Sequence, residues 1–481
     1  MSITNSLSNA LSGMTAASRL AEVVSSNVSN ALTDGYGRRS LDLAAATVGG
    51  RGAGVQIAGV TRHVDQGLLS SRRLVDASLG AASFLASTVS DVQDIVGNPG
   101  EEGSLSARVI AVEAALVEAS ANPSSDISLS ALSQRFGELA TSLNTASDSI
   151  QTKRVEVDSF ISDQIENLNV ALQQVEKLNK DIISAENSGV DSAGLMDTRQ
   201  QIVDVIAEIV PIRQFQRDNG QIALMTTGGE TLIDGPAKTF GFSPNATITP
   251  DMTLASGGLN GITVEGVPIA TDGIGGLSGG SLAAAFQARD NDLVAAQTNL
   301  DDLAVDLVTR FQDSSLDSTL APGDAGLLTD AGVAFDGVSI TGLSARIKVN
   351  AQVDPSQGGV VTKLRDGLNA ISVGSSGNSS LLQSMSAVLT EPRLSGAGTT
   401  MLSAAGRAAD IEARIGSERL SHEADLSFER SRWSSLKEAE AADGVDTDYE
   451  LQQLLRVEQA YAANARVIQT VDTLMQRLME I

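Results

Sequence analysis

The chain has 481 residues, no cysteine and a formal net charge of −26. The absence of cysteine excludes disulfide bonds, thiolate catalysis and cysteine-based metal sites. The excess of acid disfavours nucleic acids and anionic membranes as partners, because both are bound through clustered lysine and arginine. No run of about 18 apolar residues occurs, so we expect no membrane insertion.

The N-terminal segment predicts a long amphipathic helix over residues 3–31. Its apolar residues recur at alternating steps of four and three, a spacing that is typical of helices packed along a shared seam. The members of this seam are Ile3, Leu7, Ala10, Met14, Ala17, Ala21, Val24, Val28 and Ala31. The turn Asp34-Gly35-Tyr36-Gly37 ends the helix, and alternating apolar residues predict a β-hairpin over residues 41–63 around the glycines of 49–54.

Helical periodicity dominates the middle of the chain. Predicted helices cover residues 67–97, 104–121 and 127–185. The pattern changes over residues 205–280, which are rich in glycine, threonine and β-branched residues and contain strand-like runs at 211–217, 221–227 and 261–269. Helices resume at 281–312, 379–390 and 398–440, with a partly β segment at 321–360.

The C-terminal segment predicts a final helix with a second seam of the same period. A capping box marks its start, with Thr447 as the N-cap and Glu450 at the third helical position. The seam consists of Leu454, Val457, Tyr461, Asn464, Ile468, Val471, Met475 and Leu478. Asn464 is its polar member; such a residue either fixes register and partner number or occupies a solvated position, and the sequence leaves both alternatives open.

These patterns predict a mainly α protein with inserted β structure and an elongated shape. We expect residues 1–45 and 444–481 to pair as a terminal coiled coil, residues 46–204 and 281–443 to form a helical bundle body with small β segments, and residues 205–280 to form a β-rich outer domain. Burial of two narrow seams does not offset the entropy of ordering long isolated helices. The ends should therefore order only when they pair with each other and with neighbouring molecules.

Motifs that could carry chemistry are isolated. Residues 276–280 match the G-x-S-x-G nucleophile elbow around Ser278, but of the two histidines, His63 and His422, only His422 follows it. Catalysis at Ser278 by a secreted serine hydrolase is therefore a remote alternative. Both histidines are expected on the surface or in the hairpin rather than in a metal site.

Two further patterns favour structure over ligand binding. Asp443, Asp446 and Asp448 lack the spacing of an EF-hand and are better explained by helix capping. The glycines of 49–54 lack the lysine of a phosphate-binding loop, and Trp433 is expected on a helix face. We predict no enzyme activity, no catalytic residue, no metal site and no cofactor.

Motifs near both ends resemble one family. The segment 26–36, with Ser26, Asn27, Asn30, Ala31, Gly35 and Tyr36, is similar to the SN-(I/V)-AN-x-x-T-x-GY signature of bacterial flagellar axial proteins of the rod, the hook and the hook-associated layers. Residues 458–468 are similar to the closing helix of that family. Residues 194–235, 281–290 and 443–450 resemble the interior of one branch, the hook-associated protein 1 family.

The resemblance implies a structural component of the bacterial flagellum. Such subunits are exported unfolded from the cytoplasm through the flagellar type III system and form an extracellular layer that joins hook to filament. The implied partners are other copies of the chain, the hook protein, a second junction protein next to the filament, and a cytoplasmic export chaperone at the C-terminal helix. The alternative within this resemblance is a rod or hook axial protein.

Overall fold

The computed structural model describes residues 3–48, 51–270, 273–394 and 400–479. Its helices are α1 (Ile3–Ser29), α2 (Gln66–Val96), α3 (Leu105–Ala121), α4 (Asp126–Asn187), α5 (Ala193–Ile209), α6 (Gly280–Gln287), α7 (Leu293–Gln312), α8 (Leu343–Arg346), α9 (Lys363–Asp366), α10 (Ser380–Thr390), α11 (Ala404–Asp443) and α12 (Thr447–Met479). Its strands are β1 (Arg38–Val48), β2 (Arg51–His63), β3 (Ile212–Gln216), β4 (Ile222–Thr226), β5 (Thr231–Ile233), β6 (Phe240–Gly241), β7 (Thr263–Val264), β8 (Val267–Pro268), β9 (Leu328–Asp330) and β10 (Ile347–Val349). The predicted mainly α fold with inserted β structure is confirmed.

Helix α4 is the central element of the body. It has 62 residues and is therefore about 93 Å long. Its N-cap is Ser125, whose hydroxyl accepts from the amide of Ser128. Fully buried leucines, isoleucines and a phenylalanine recur along one side of the helix, where α3, α5, α7 and α8 pack. One continuous apolar core therefore extends along α4.

Helices α2 and α11 form an antiparallel pair that runs towards the terminal helices. Contacts near its two ends show the antiparallel orientation. Arg419 of α11 donates a hydrogen bond to Gln93 of α2, and Glu440 of α11 forms an ion pair with Arg72 of α2. Beyond Ile415, no residue of α11 is buried. The second half of α11 is therefore a surface helix that packs on α2 and leads into α12.

The β-rich segment lies along α4. Strands β3, β4 and β5 form one antiparallel sheet, and β6, β7 and β8 form another. Asn169 of α4 donates to the carbonyl of Phe240 at 2.7 Å and accepts from its amide at 2.8 Å, and Asn179 of α4 makes the same two bonds with Ile222. These two asparagines attach both sheets to the helix. That residues 205–280 form a separate outer domain stays a prediction.

Three elements differ from the sequence-based expectation. Helix α5 covers residues in which we predicted no helix and extends past residue 205 into the segment that we predicted to be β-rich, whose first strand begins at Ile212, close to the predicted residue 211. The run 261–269 is a hairpin rather than one strand, because Glu265 and Gly266 both have positive φ and reverse the chain. The helix predicted over 281–312 is interrupted by a π-helical turn at Ala288–Asp292.

The π-helical turn places a buried charge against α4. Its Arg289 is fully buried and forms an ion pair with Asp158 at 2.5 Å and a two-bond ion pair with Asp290. The Asp158 carboxylate also accepts from the amide of Asn245 at 2.6 Å. This cluster fastens the loop that follows β6 to the middle of α4.

Candidate assembly interface

The terminal helices α1 and α12 pack against each other in antiparallel orientation. Gly13, in the middle of α1, lies against Asn464, in the middle of α12, and Arg38, just after α1, lies 3.9 Å from Glu450 near the start of α12. The guanidinium of Arg38 also lies over the ring of Tyr449 at 5.8 Å. The two ends of the chain therefore meet in one helical pair.

The two predicted seams are divided between this contact and the surface. The buried members are Ala10, Ala17, Val24, Val457 and Val471, and the partly buried ones are Ile3, Met14, Ala21, Val28, Ala31, Asn464 and Ile468. Leu7, Leu454, Tyr461, Met475 and Leu478 are exposed. Two helices alone therefore cover only one side of each seam.

A set of large apolar side chains, which we call the outer face, is left exposed on the helical pair. It consists of Leu7, Leu11, Leu451, Leu454, Leu455, Tyr461, Val467, Leu474, Met475 and Leu478. Leu11, Leu455 and Leu478 are each 59% exposed. So many exposed large apolar side chains on one helical pair of an otherwise acidic protein indicate a candidate protein–protein contact site.

The hairpin β1–β2 lies beside α1. Residues of β1 pair with β2 from Arg38 opposite His63 to Ala45 opposite Val55, and the Val55 amide donates to the hydroxyl of Ser12 at 3.2 Å. The hairpin predicted over 41–63 is confirmed, with strands that begin earlier, at Arg38. Gly49 and Gly50 of its predicted turn lie outside the described residues.

Asn27 is the centre of the family motif. Its side chain is fully buried and forms two hydrogen bonds with the backbone of Arg39, donating to the carbonyl at 2.8 Å and accepting from the amide at 3.0 Å. The hydroxyl of Tyr36 donates to the same Asn27 oxygen at 2.9 Å. Burial is the main reason that the pKa of Tyr36 is raised. The motif therefore acts as a clasp between α1 and β1.

The other motif residues complete the turn. Asn30 donates to the carbonyl of Ser26 at 2.9 Å, and the Ser26 hydroxyl lies 3.3 Å from that of Tyr36. Gly35 has φ of +77° and no room for a side chain, since a β-carbon would lie 2.8 Å from Gln201. Ala31 is partly buried in the turn.

Asp197 of α5 anchors the clasp to the body. Its carboxylate accepts from the amide of Gly37 at 3.0 Å, from Arg39 at 2.8 Å and from Arg62 at 2.6 Å. Sequence reasoning placed Asp197 in a motif without a role, and it missed Arg39 and Arg62. The only available signal was the resemblance of residues 194–235 to the family, because the partners lie more than 130 residues away in sequence.

A polar cluster joins the body to α11 near the terminal helices. Arg72 of α2 is buried and pairs with Asp76 and Asp204, each at 2.6 Å, and with Glu440 of α11 at 2.7 Å. Trp433 of α11, predicted to lie on a helix face, donates its indole N–H to Asp76 at 2.8 Å. This cluster, which we call the joint cluster, was not predicted.

The predicted capping box at the start of α12 is wrong. Thr447 is the first helical residue, and the carboxylate of Asp446 accepts from the amides of Asp448 and Tyr449 at 2.9 and 3.0 Å. Asp446 is therefore the N-cap. Glu450 is buried beside Arg38 because its position on α12 faces α1, so it is not free to reach back to the cap.

The isolated chemical motifs stay isolated in the structure. Ser278 is exposed and follows a 3₁₀ turn at Gly275–Leu277, whereas a nucleophile elbow requires a preceding strand. His63 lies 2.8 Å from the Ser40 hydroxyl in the hairpin, and His422 lies on α11. Among the described residues, no group of three or more histidines and acids is placed to hold a metal ion. None of the described helices is long and apolar enough to cross a membrane.

Comparisons with known proteins match both the body and the final helix. Residues 89–326 match the family described as flagellar hook-associated protein FlgK helical domain, without a break at the β-rich segment. Residues 441–481 match the family described as flagellar basal body rod FlgEFG protein C-terminal.

Individual relatives carry the same description. Flagellar hook-associated protein 1 of Bacillus subtilis (strain 168) is 27% identical over 220 residues, which cover 43% of each chain. The protein of that name from Escherichia coli (strain K12) is 22% identical over 330 residues, which cover 66% of this chain and 58% of the relative. The chain thus spans about half the length of the curated relatives it matches.

One solved structure is also similar. The flagellar hook junction protein FlgK from Burkholderia pseudomallei aligns with a TM-score of 0.44 and 19% identity, over 55% of this chain and 47% of that one. Together, the family and relative matches confirm the resemblance that the sequence motifs predicted.

Proposed function

We propose that this chain, a relative of flagellar hook-associated protein 1, is a structural subunit that self-assembles into the layer between hook and filament. The observation that carries the proposal is the outer face of the α1–α12 pair. The ten large apolar side chains of the outer face are exposed, and they lie on the two helices that carry the family motifs. Neighbouring copies that pack helical pairs side by side would cover this face and form the inner wall of a tube.

The proposed partners follow from the relatives. We propose the hook protein below the layer, a second junction protein next to the filament, and a cytoplasmic chaperone that covers α12 before export. Export unfolded through the flagellar type III system is supported by the composition, because a chain without cysteine forms no disulfide that would resist unfolding. The proposed final location is the extracellular flagellum.

Substitutions on the outer face test the self-assembly. Leu455→Ser and Leu478→Ser remove apolar area from side chains that are each 59% exposed, so the fold should persist. We expect the unmodified chain to form higher assemblies with rising concentration in sedimentation velocity, and the double variant to stay monomeric. Ile127→Ser, at the start of α4 and 84% exposed, is the matched control and should assemble normally. Equal assembly by all three chains would contradict the proposal.

The alternative is a rod or hook axial protein, which the match of residues 441–481 to a rod family favours. Deletion of the gene separates the two functions in the parent bacterium. If the chain is a junction subunit, its deletion should leave hooks intact and filaments absent in electron micrographs. Loss of the hooks themselves would assign the chain to the rod or the hook.

A further inference from the structure

Gly13 provides a gap in α1 that the side chain of Asn464 fills. A β-carbon at Gly13 would lie 2.7 Å from Nδ2 and 2.9 Å from Oδ1 of Asn464, closer than non-bonded atoms approach. The amide is held in this position because its Nδ2 donates to the carbonyl of Ala460 at 3.0 Å. A side chain at position 13 would therefore require the Asn464 amide to move out of the place that it occupies.

Asn464 belongs to the row of α12 that faces α1. Glu450, Val457, Asn464 and Val471 follow one another at intervals of seven residues, and all are buried or partly buried. The facing row of α1 contains Ala10, Ala17 and Val24 at the same interval. Rows of seven-residue period can match again after a slip of one heptad, so apolar burial alone does not select one register.

The residue types next to Asn464 disfavour both slipped registers. Because the helices are antiparallel and Gly13 is level with Asn464, Leu20 is level with Val457. A slip of one heptad in one direction brings Leu20 level with Asn464, and a slip in the other direction brings it level with Glu450. Either slip places a leucine against a polar side chain, Asn464 being partly buried and Glu450 buried, which costs free energy when the polar group finds no partner.

We propose that Gly13 and Asn464 form a register lock, which restricts the α1–α12 pair to one antiparallel register within a single chain. The lock also determines how the outer face is aligned between the two helices, since a slip would move the members of the outer face on α12 by two helical turns relative to those on α1. The proposal concerns pairing within one chain. It can therefore fail while the proposed self-assembly stands, and the reverse also holds.

Distance measurements between two spin labels test the register directly. Ser8→Cys on α1 and Gln452→Cys on α12 are exposed positions in helices, and these are the only thiols because the chain has no cysteine. The labels are offset along the helical axis, so a slip of one heptad changes their axial separation by about 10 Å.

The lock predicts one narrow distance distribution for the full chain. Asn464→Ala, which fits against any residue of α1, should add a second population displaced by about 10 Å. A single unchanged distribution in Asn464→Ala would overturn the proposal. A broad distribution in the chain with native Asn464 would overturn it too, because no fixed pair would then exist within one chain.

A glycine substitution gives a second test. The register lock predicts that Gly13→Ala destabilises the pairing of α1 and α12, whereas helix propensity alone predicts that it stabilises α1. Alanine normally stabilises a helix interior relative to glycine, and Gly137→Ala in α4 is the matched control because its β-carbon meets nothing within 4 Å. Gly13→Ala should instead accelerate amide hydrogen exchange throughout α12. Addition of Asn464→Ala should restore slow exchange, since it removes the overlapping amide. Slower exchange in Gly13→Ala alone would contradict the lock.

Discussion

The indole nitrogen of Trp433 donates a hydrogen bond to the carboxylate of Asp76 at 2.8 Å, across the contact between α11 and α2. Asp76 is 5% exposed, and its burial raises the pKa of the carboxyl to about 6, although the neighbouring Arg72 acts in the opposite direction. The joint cluster therefore contains an acid that changes charge near neutral pH, next to the only tryptophan of the chain.

The joint cluster predicts a pH dependence of stability. Folded Asp76 retains its proton to higher pH than the unfolded chain does, so its contribution is fully present below about pH 4 and is lost as the pH rises through about 6. The loss amounts to about 3 kcal/mol of the free energy of unfolding. Asp76→Asn should flatten this slope in urea unfolding measured between pH 4 and pH 8.

Fluorescence of Trp433 identifies which acid causes the pH dependence of stability. Asp204, Glu208 and Glu440 lie in or beside the joint cluster, and burial also raises the pKa of Glu208. We expect a change of Trp433 emission near pH 6 that persists in Glu208→Gln and disappears in Asp76→Asn. A transition that survives in Asp76→Asn would show that a different acid titrates.

The Asn27 clasp should be costly to break. Asn27→Ala leaves the Arg39 amide, the Arg39 carbonyl and the Tyr36 hydroxyl without their partner in a buried site. Each such loss costs about 1–3 kcal/mol, and we expect destabilisation of at least about 2 kcal/mol. Hydrogen exchange at the start of β1 measures the effect locally. Asn30→Ala, which loses two local bonds, to the Ser26 carbonyl and from the Thr33 hydroxyl, is the control and should change exchange there far less.

The Asp197 anchor should control how firmly the terminal helices attach to the body. Asp197→Ala leaves Arg39 and Arg62 without their shared acid in a mostly buried site, and breaking such a pair costs about 3–5 kcal/mol. We expect proteases to cleave rapidly between residues 30 and 65. Asp191→Ala, at the exposed loop before α5, is the control. Equal cleavage in the two variants would mean that the anchor is not needed for attachment.

The corrected N-cap of α12 gives a paired test. Asp446→Ala removes the acceptor of two helix amides and should cost about 1 kcal/mol, whereas Thr447→Ala should leave stability nearly unchanged. Amide exchange of Asp448 and Tyr449 reports the difference. A larger effect from Thr447→Ala would restore the capping box that the sequence predicted.

Local features of the fold could be predicted from the sequence alone. The seam periodicity of α1 and α12, the long periodic run of α4 and the hairpin of β1 and β2 follow from the spacing of neighbouring residues, which determines the local backbone. The resemblance carried by residues 26–36 likewise needed only contiguous sequence. These predictions succeeded because all the information they require lies within one contiguous stretch of sequence.

Tertiary structure alone decided which side of each seam is buried and which contacts join distant segments. Leu454 and Val457 share one periodic pattern, yet one is exposed and the other is buried, because only one side of α12 meets α1. Asp446 and Thr447 are both good caps, and only the structure shows that Asp446 accepts from the first amides of the helix. Asp197 obtains its role from arginines far away in sequence, and no periodicity encodes such a distance.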